Sequence, residues 1–190
     1  MTTLLLISGS ARRGSTNTAV LATAAALAPP GVGCERFSAI ADLPLFTPDR
    51  DAQGVALDAR VAELRGDVGR ADAVLICTPE YAGALPATIK NLLEWTIGDG
   101  GLDRMPTAWI NASGPAAPSG AADAHASLAK VLAYANATVV EQACVRVPVT
   151  RELVGADGQI TDPGARAAIR AAVMSLAAAA GDREDRPPPP

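Results

Sequence analysis

The sequence predicts an α/β domain built on a doubly wound, five-stranded parallel sheet with helices on both faces. Short apolar runs alternate along the chain with longer amphipathic stretches, the order that joins parallel strands through crossover helices. The runs are apolar throughout, as strands covered on both faces require. With 190 residues, 49% of them hydrophobic, one domain buries enough surface to stand without a disulfide or a metal. Aromatic residues are only 3% of the chain, so the core must be built from Ala, Val, Leu and Ile.

Residues 3–8, TLLLIS, read as the first buried strand. Residues 17–28 form a helix stopped by Pro29, Pro30 and Gly31. Residues 34–40 are a weaker strand. Residues 57–68 form a helix whose apolar face is Leu57, Val61, Leu64 and Val68. Residues 73–78, AVLICT, are a second strongly apolar strand, and residues 86–97 a helix entered through a proline, which suits a first helical turn. Residues 107–112, TAWINA, give a further core strand, residues 121–135 an Ala-rich helix, and residues 139–149 contain the fifth strand. Residues 163–180 close the domain as a helix. Residues 1–180 are thus one domain, and the charged, proline-rich tail 181–190 is expected to be disordered.

Composition excludes several classes of function. A net charge of −4 and a pI near 5.0 argue against a nucleic-acid partner bound through a basic surface. No apolar run reaches the roughly 20 residues of a membrane-spanning helix, so no membrane partner is expected. The opening MTTLLLISGSARRG has no basic region before its apolar run, and it reads as a strand instead of a signal peptide. Three widely spaced cysteines, Cys34, Cys77 and Cys144, fit a reducing cytoplasm better than a disulfide framework. One histidine and no CxxC pair leave little material for a metal site.

In such sheets ligands bind beyond the carboxyl ends of the strands, at the point where strand order reverses. The loop after the first strand reads Ser8-Gly9-Ser10-Ala11-Arg12-Arg13-Gly14-Ser15-Thr16-Asn17. It lies between a strand and a helix, where backbone amides and the helix dipole favour an anion. Ser10, Ser15, Thr16 and Asn17 add side-chain donors, and Arg12 suits a charge-assisted pair with a phosphate oxygen. The plainer alternative is a turn with an ordinary Ser/Thr/Asn helix cap. A GxGxxG pattern fails at Ala11, two places after Gly9. A GxxxxGK[ST] pattern fails at Ser15, where its lysine should stand. A monophosphate therefore suits the loop better than a triphosphate with magnesium.

The loop after the third strand, Pro79 to Trp95, completes a recognisable pair of patterns. One is G-S-x-R-x-x-S-x-N, present as Gly9, Ser10, Arg12, Ser15 and Asn17. The other is P-E-Y-N-x-x-x-P-x-x-x-K-N-x-x-[DE]-W, present as Pro79, Glu80, Tyr81, Pro86, Lys90, Asn91, Glu94 and Trp95. Asp42-Leu43-Pro44-Leu45-Phe46 is a minor match. Over about residues 3–150 the chain resembles the NADPH-dependent FMN reductases, which include bacterial quinone, chromate and azo-dye reductases. The resemblance implies a flavodoxin-like, three-layer fold with strand order 2-1-3-4-5.

It also implies FMN as cofactor, NADPH or NADH as co-substrate, a small-molecule electron acceptor, and assembly as a homodimer or homotetramer. Ser10, Arg12, Ser15, Thr16 and Asn17 would hold the FMN phosphate. Pro79, Glu80, Tyr81, Ala82 and Gly83 would lie against the isoalloxazine ring, bordered by Ser113 and Gly114. No side chain is assigned as catalytic, because the cofactor carries the chemistry. Lys90 and Glu94 have the spacing of a helical ion pair. Two positions depart from the family: Ala82 stands where Asn is usual, and residues 113–120 lack the usual Arg after a glycine pair. His125 is expected on a helix surface, with a pH-sensitive role at the acceptor site as the alternative. The implied activity is hydride transfer from NAD(P)H to FMN and on to a quinone, azo, metal-ion or flavin acceptor. A flavin reductase component serving a monooxygenase and a non-enzymatic flavodoxin-like electron carrier are the competing readings.

Overall fold

The structure, a computed structural model, describes residues 1–12, 14–114 and 119–184. Arg13, residues 115–118 of the predicted site segment, and 185–190 of the predicted tail lie outside the described residues. The chain runs β1 (Thr2–Ser8), α1 (Thr16–Ala26), β2 (Val32–Phe37), α2 (Ala59–Arg70), β3 (Ala73–Cys77), α3 (Ala87–Trp95), β4 (Pro106–Asn111), α4 (Ala122–Tyr134), β5 (Thr138–Val139), β6 (Val145–Arg146) and α5 (Pro163–Glu184). All strand pairs are parallel and the order is β2-β1-β3-β4-β5, with β6 also on β4. This is the predicted doubly wound sheet in flavodoxin-like order.

Strand alternation sorts the core onto two faces. Leu4 and Leu6 of β1, with Leu75 of β3 and Ile110 of β4, pack under α1 and α5. Leu5, Ile7, Val74, Ile76 and Trp109 pack under α2, α3 and α4. Both faces of the central strands are therefore dry, and this is why their sequences are apolar without interruption. On α1, fully buried Thr23 donates its hydroxyl to Ala19 O at 2.8 Å and accepts the Ile160 amide at 2.8 Å, anchoring the segment that enters α5.

Several boundaries differ from the sequence reading: α2 starts after its Asp58 cap, which leaves the predicted face residue Leu57 outside the helix and exposed. The weaker strand spans Val32–Phe37, not 34–40, because Ile40–Asp42 forms a 3-10 turn. The fifth strand is split: Thr138 and Val139 pair with Pro106 and Thr107, then Val145 and Arg146 pair with Ile110 and Asn111. Between them the outer chain has more residues than β4 offers partners, and the excess folds into a 3-10 turn at Glu141–Ala143 that packs on α5. The last helix continues past residue 180 to Glu184, so the first residues assigned to the tail are helical. Among the described residues no helix is long and apolar enough to cross a membrane.

Candidate functional site

β1 lies between β2 and β3, so strand order reverses beside it. Ser8 and Cys77 end adjacent strands in register, and Cys77 is level with Ile110. The loops that follow β1, β3 and β4 therefore emerge side by side, bringing the three predicted groups of site residues to one end of the sheet.

The β1 loop is held from beneath. Gly9 donates its amide to Cys77 O at 2.8 Å, and its carbonyl accepts the Thr88 hydroxyl at 3.0 Å. A Cβ at this position would stand 2.7 Å from Ile89 Cγ1 and 2.8 Å from Thr78 Cβ. Only glycine fits this close approach. Ser10 is buried, and its hydroxyl accepts the Arg12 amide at 3.3 Å. Ser15 is the N-cap of α1: its hydroxyl accepts the Thr18 amide at 3.1 Å. The capping alternative is thus realised at Ser15, but it satisfies only one of the free amides of that first turn. Among the described residues the amides of Thr16 and Asn17 have no acceptor, and orphaned amides at a helix start are anion donors. Asn17 is buried, with its oxygen taken by the Cys77 thiol at 3.3 Å. The Arg12 side chain is exposed and makes no ion pair among the described residues. Two free amides, a free guanidinium and hydroxyls on a rigid loop fit a phosphate monoester.

The β3 loop makes a tight hairpin turn. Tyr81 and Ala84 exchange both backbone hydrogen bonds, at 3.0 and 3.1 Å, while Ala82 and Gly83 between them have φ of +51° and +69°. Two left-handed residues in succession define a type I′ turn, whose central amides point outward. Among the described residues the Ala82 and Gly83 amides have no acceptor, so the turn presents a pair of donors suited to the polar edge of a flat ring. Tyr81 is exposed beside them.

Glu80 is placed differently from its neighbours. Ser119 Oγ lies 2.6 Å from both of its carboxylate oxygens, and the Ala124 amide donates to one of them at 3.0 Å. The N-cap of α4 is Ala121, which has no side-chain acceptor, so Glu80 caps that helix from another loop. Donation by Ser119, then by the Ala124 amide, holds its carboxyl below the ordinary value of 4.5. After β4, the Ser113 amide donates to Asn111 Oδ1 at 2.7 Å. Gly114 follows it, with 115–118 outside the described residues. His125 is half-buried and meets the edge of Trp109 with centroids 5.6 Å apart, so it is not a plain surface histidine. Burial, then the charge of Arg146, lowers its pKa below 6.5.

The rest of the second motif serves the scaffold. Lys90 and Glu94 form the expected ion pair. Asn91 accepts the Phe46 amide at 2.8 Å and donates to Pro44 O at 3.0 Å. Trp95 Nε1 donates to the same carbonyl at 2.8 Å, and its ring meets Phe46 edge-on at 5.0 Å. The second motif thus locks residues 44–46 of the minor match onto α3. Sequence reasoning missed Ser119 and Thr88, which act across the fold with no local spacing to reveal them.

Comparison with known proteins gives a consistent result. The family described as NADPH-dependent FMN reductase matches residues 2–151. The chain is 31% identical over 175 residues to an NAD(P)H-dependent FMN reductase of Pseudomonas aeruginosa, covering 91% of this chain and 92% of that protein. It is 29% identical over 183 residues to a 2-hydroxy-1,4-benzoquinone reductase of a Burkholderia species, covering 95% and 97%. Among solved structures, it superposes on the flavoenzyme NAD(P)H:acceptor oxidoreductase FerB of Paracoccus denitrificans with a TM-score of 0.82 and 26% identity, over 96% of this chain and 98% of that one.

Proposed function

This chain belongs to the NADPH-dependent FMN reductase family, and on that premise we propose that it is an FMN-dependent NAD(P)H oxidoreductase that reduces quinone-type acceptors. The observation that carries the reading is the pairing of two unsatisfied donor sets at one sheet end: Thr16 and Asn17 amides with Arg12, and Ala82 and Gly83 amides on a rigid turn. When bound, FMN supplies the chemistry of accepting a hydride from a nicotinamide and passing electrons to the acceptor.

The chain's own residues bind and orient. Arg12 neutralises the phosphate, and the α1 amides fix its place. The Ala82–Gly83 amides set the ring's polar edge, with Tyr81, Pro79, Ser113 and Gly114 around it. Glu80 acts through position: by capping α4 it fixes the Pro79–Gly83 loop against the start of that helix. Trp95 and Trp109 are both buried in the core, so neither would cover a flavin held by these loops, which would leave room for nicotinamide and acceptor. The quinone preference follows the benzoquinone-reducing relative. We place the protein in the cytoplasm, as its three unpaired cysteines support. It assembles as a homodimer or homotetramer through the outer face of α3 and α4.

The test is direct. Protein purified without added cofactor is expected to bind FMN and to oxidise NADPH or NADH with a quinone. Arg12→Ala is expected to weaken FMN by about 1.5–3 kcal/mol, the range for a hydrogen bond to a charged group. No FMN binding by the native protein in an equilibrium titration would overturn the reading, and an unchanged affinity in the variant would move the phosphate elsewhere.

A further inference from the structure

A cleft of about 270 Å³ lies on the other side of the β1–α1 loop, between that loop and the carboxyl end of β2. Arg12 and Arg36 line it, together with Ser10, Thr18 and Ser38, and no carboxylate does. Among the described residues neither guanidinium is in an ion pair. The strand explains the arrangement. Arg36 is level with Leu6, whose side chain packs on the α1 face, while Glu35 is level with Leu5, which packs on the opposite face. Alternation turns the neighbouring acid away and leaves two cations facing one hollow.

The cleft adjoins the mouth of α1 on its β2 side: Ser10, Arg12, Gly14 and Thr18 line it, while Ser15, Thr16 and Asn17 do not. Its aromatic, Phe37, is buried and offers no face on which a nucleobase could stack. With Arg12 paired to the flavin phosphate, Arg36 is the guanidinium left over, and beside Ser38 and Thr18 it matches the acceptor oxygens of a phosphoryl group. Resting on the flavin-phosphate role of the loop, we propose that the Arg12–Arg36 cleft binds a second phosphoryl group, so that Arg36 sets preference among phosphorylated nucleotides. The 2′-phosphate of NADPH and the diphosphate of FAD share this chemistry.

The variant is Arg36→Ala, at an exposed position. Protein as purified is titrated calorimetrically with adenosine 2′,5′-bisphosphate and with 5′-AMP. FMN and FAD affinities are measured on flavin-stripped full-length chain. If the cleft takes the NADPH phosphate, Arg36→Ala erases a bisphosphate preference of about tenfold, the scale of one hydrogen bond to a charged group, and lowers the NADPH-to-NADH ratio of kcat/KM alike. If it takes the FAD diphosphate, the variant lowers FAD affinity about tenfold against FMN and leaves the bisphosphate unmoved. Either result with FMN affinity within twofold of native supports the second site. Loss of FMN binding equal to that of Arg12→Ala would merge the two sites and overturn it, as would no change in either arm. Native protein that binds no flavin would refute the proposed activity, while the bisphosphate arm would still decide the cleft.

Discussion

Ala82 sits at φ +51° in the turn whose free amides the proposed function assigns to the ring edge. A left-handed backbone costs a residue with a Cβ about 1–2 kcal/mol, and Asn is one of the few side chains that tolerate it. The family's usual Asn at this place is therefore explained by backbone conformation as well as by any side-chain contact. Ala82 is exposed, so a larger side chain meets no neighbour that must move. Ala82→Asn is expected to raise stability by about 0.5–1 kcal/mol, part of that strain, read as a higher urea midpoint, and to leave FMN affinity equal or tighter. A lower midpoint would show that the alanine is not strained. At this scale the sequence is readable where chemistry is local: the Ser15 cap, the Lys90–Glu94 pair and the two phosphate-loop glycines follow from short spacing. It is silent where a side chain acts across the fold. Nothing near Glu80 in sequence announces Ser119 or Ala124, the groups that its carboxylate holds.

Helix α4 gives the element scale its own test. Its N-cap alanine has no side-chain acceptor, and the carboxylate of Glu80 takes that place. An anion at a helix start is favoured by the unsatisfied amides and the macrodipole. Because the folded Glu80 titrates below 4.5, its stabilisation is fully present above that value and is lost as pH falls through the lower folded one. Glu80→Gln is expected to have a lower urea midpoint than the native chain at pH 7, with the gap closing as pH drops below 4.5. A gap that stays constant with pH would mean that charge contributes nothing and only packing was lost. Elements themselves were legible because periodicity and breakers are local. The errors fell where tertiary pairing decides: a split fifth strand exists only because β4 is shorter than the chain laid beside it, which no window of one strand reveals.

At the scale of the molecule, the described residues leave an apolar surface without cover. Between α3 and α4 runs a groove of about 520 Å³ lined by Phe46, Leu93, Ile97, Val131 and Tyr134, with Lys90, Glu94 and Lys130 also in its wall. Tyr134 is 87% exposed and Ile97 40%. Scattered exposed apolar residues are ordinary, but a contiguous set framed by charges marks an interface. Stable interfaces bury about 1,200–2,000 Å² in total, and two antiparallel copies of a helix pair can supply that area. The loops of the candidate site open at the N-terminal ends of α3 and α4, whereas the groove follows their C-terminal halves. Tyr134→Glu places a charge at the most exposed of these positions without touching the core. If the proposed assembly uses this face, the variant is expected to sediment as a smaller species than the native chain at micromolar concentration, with far-UV circular dichroism unchanged. Retention of the native size would put the subunit contact on another face. A native chain that sediments as a monomer would remove the assembly from the proposed function and leave the flavin site as a property of the single fold.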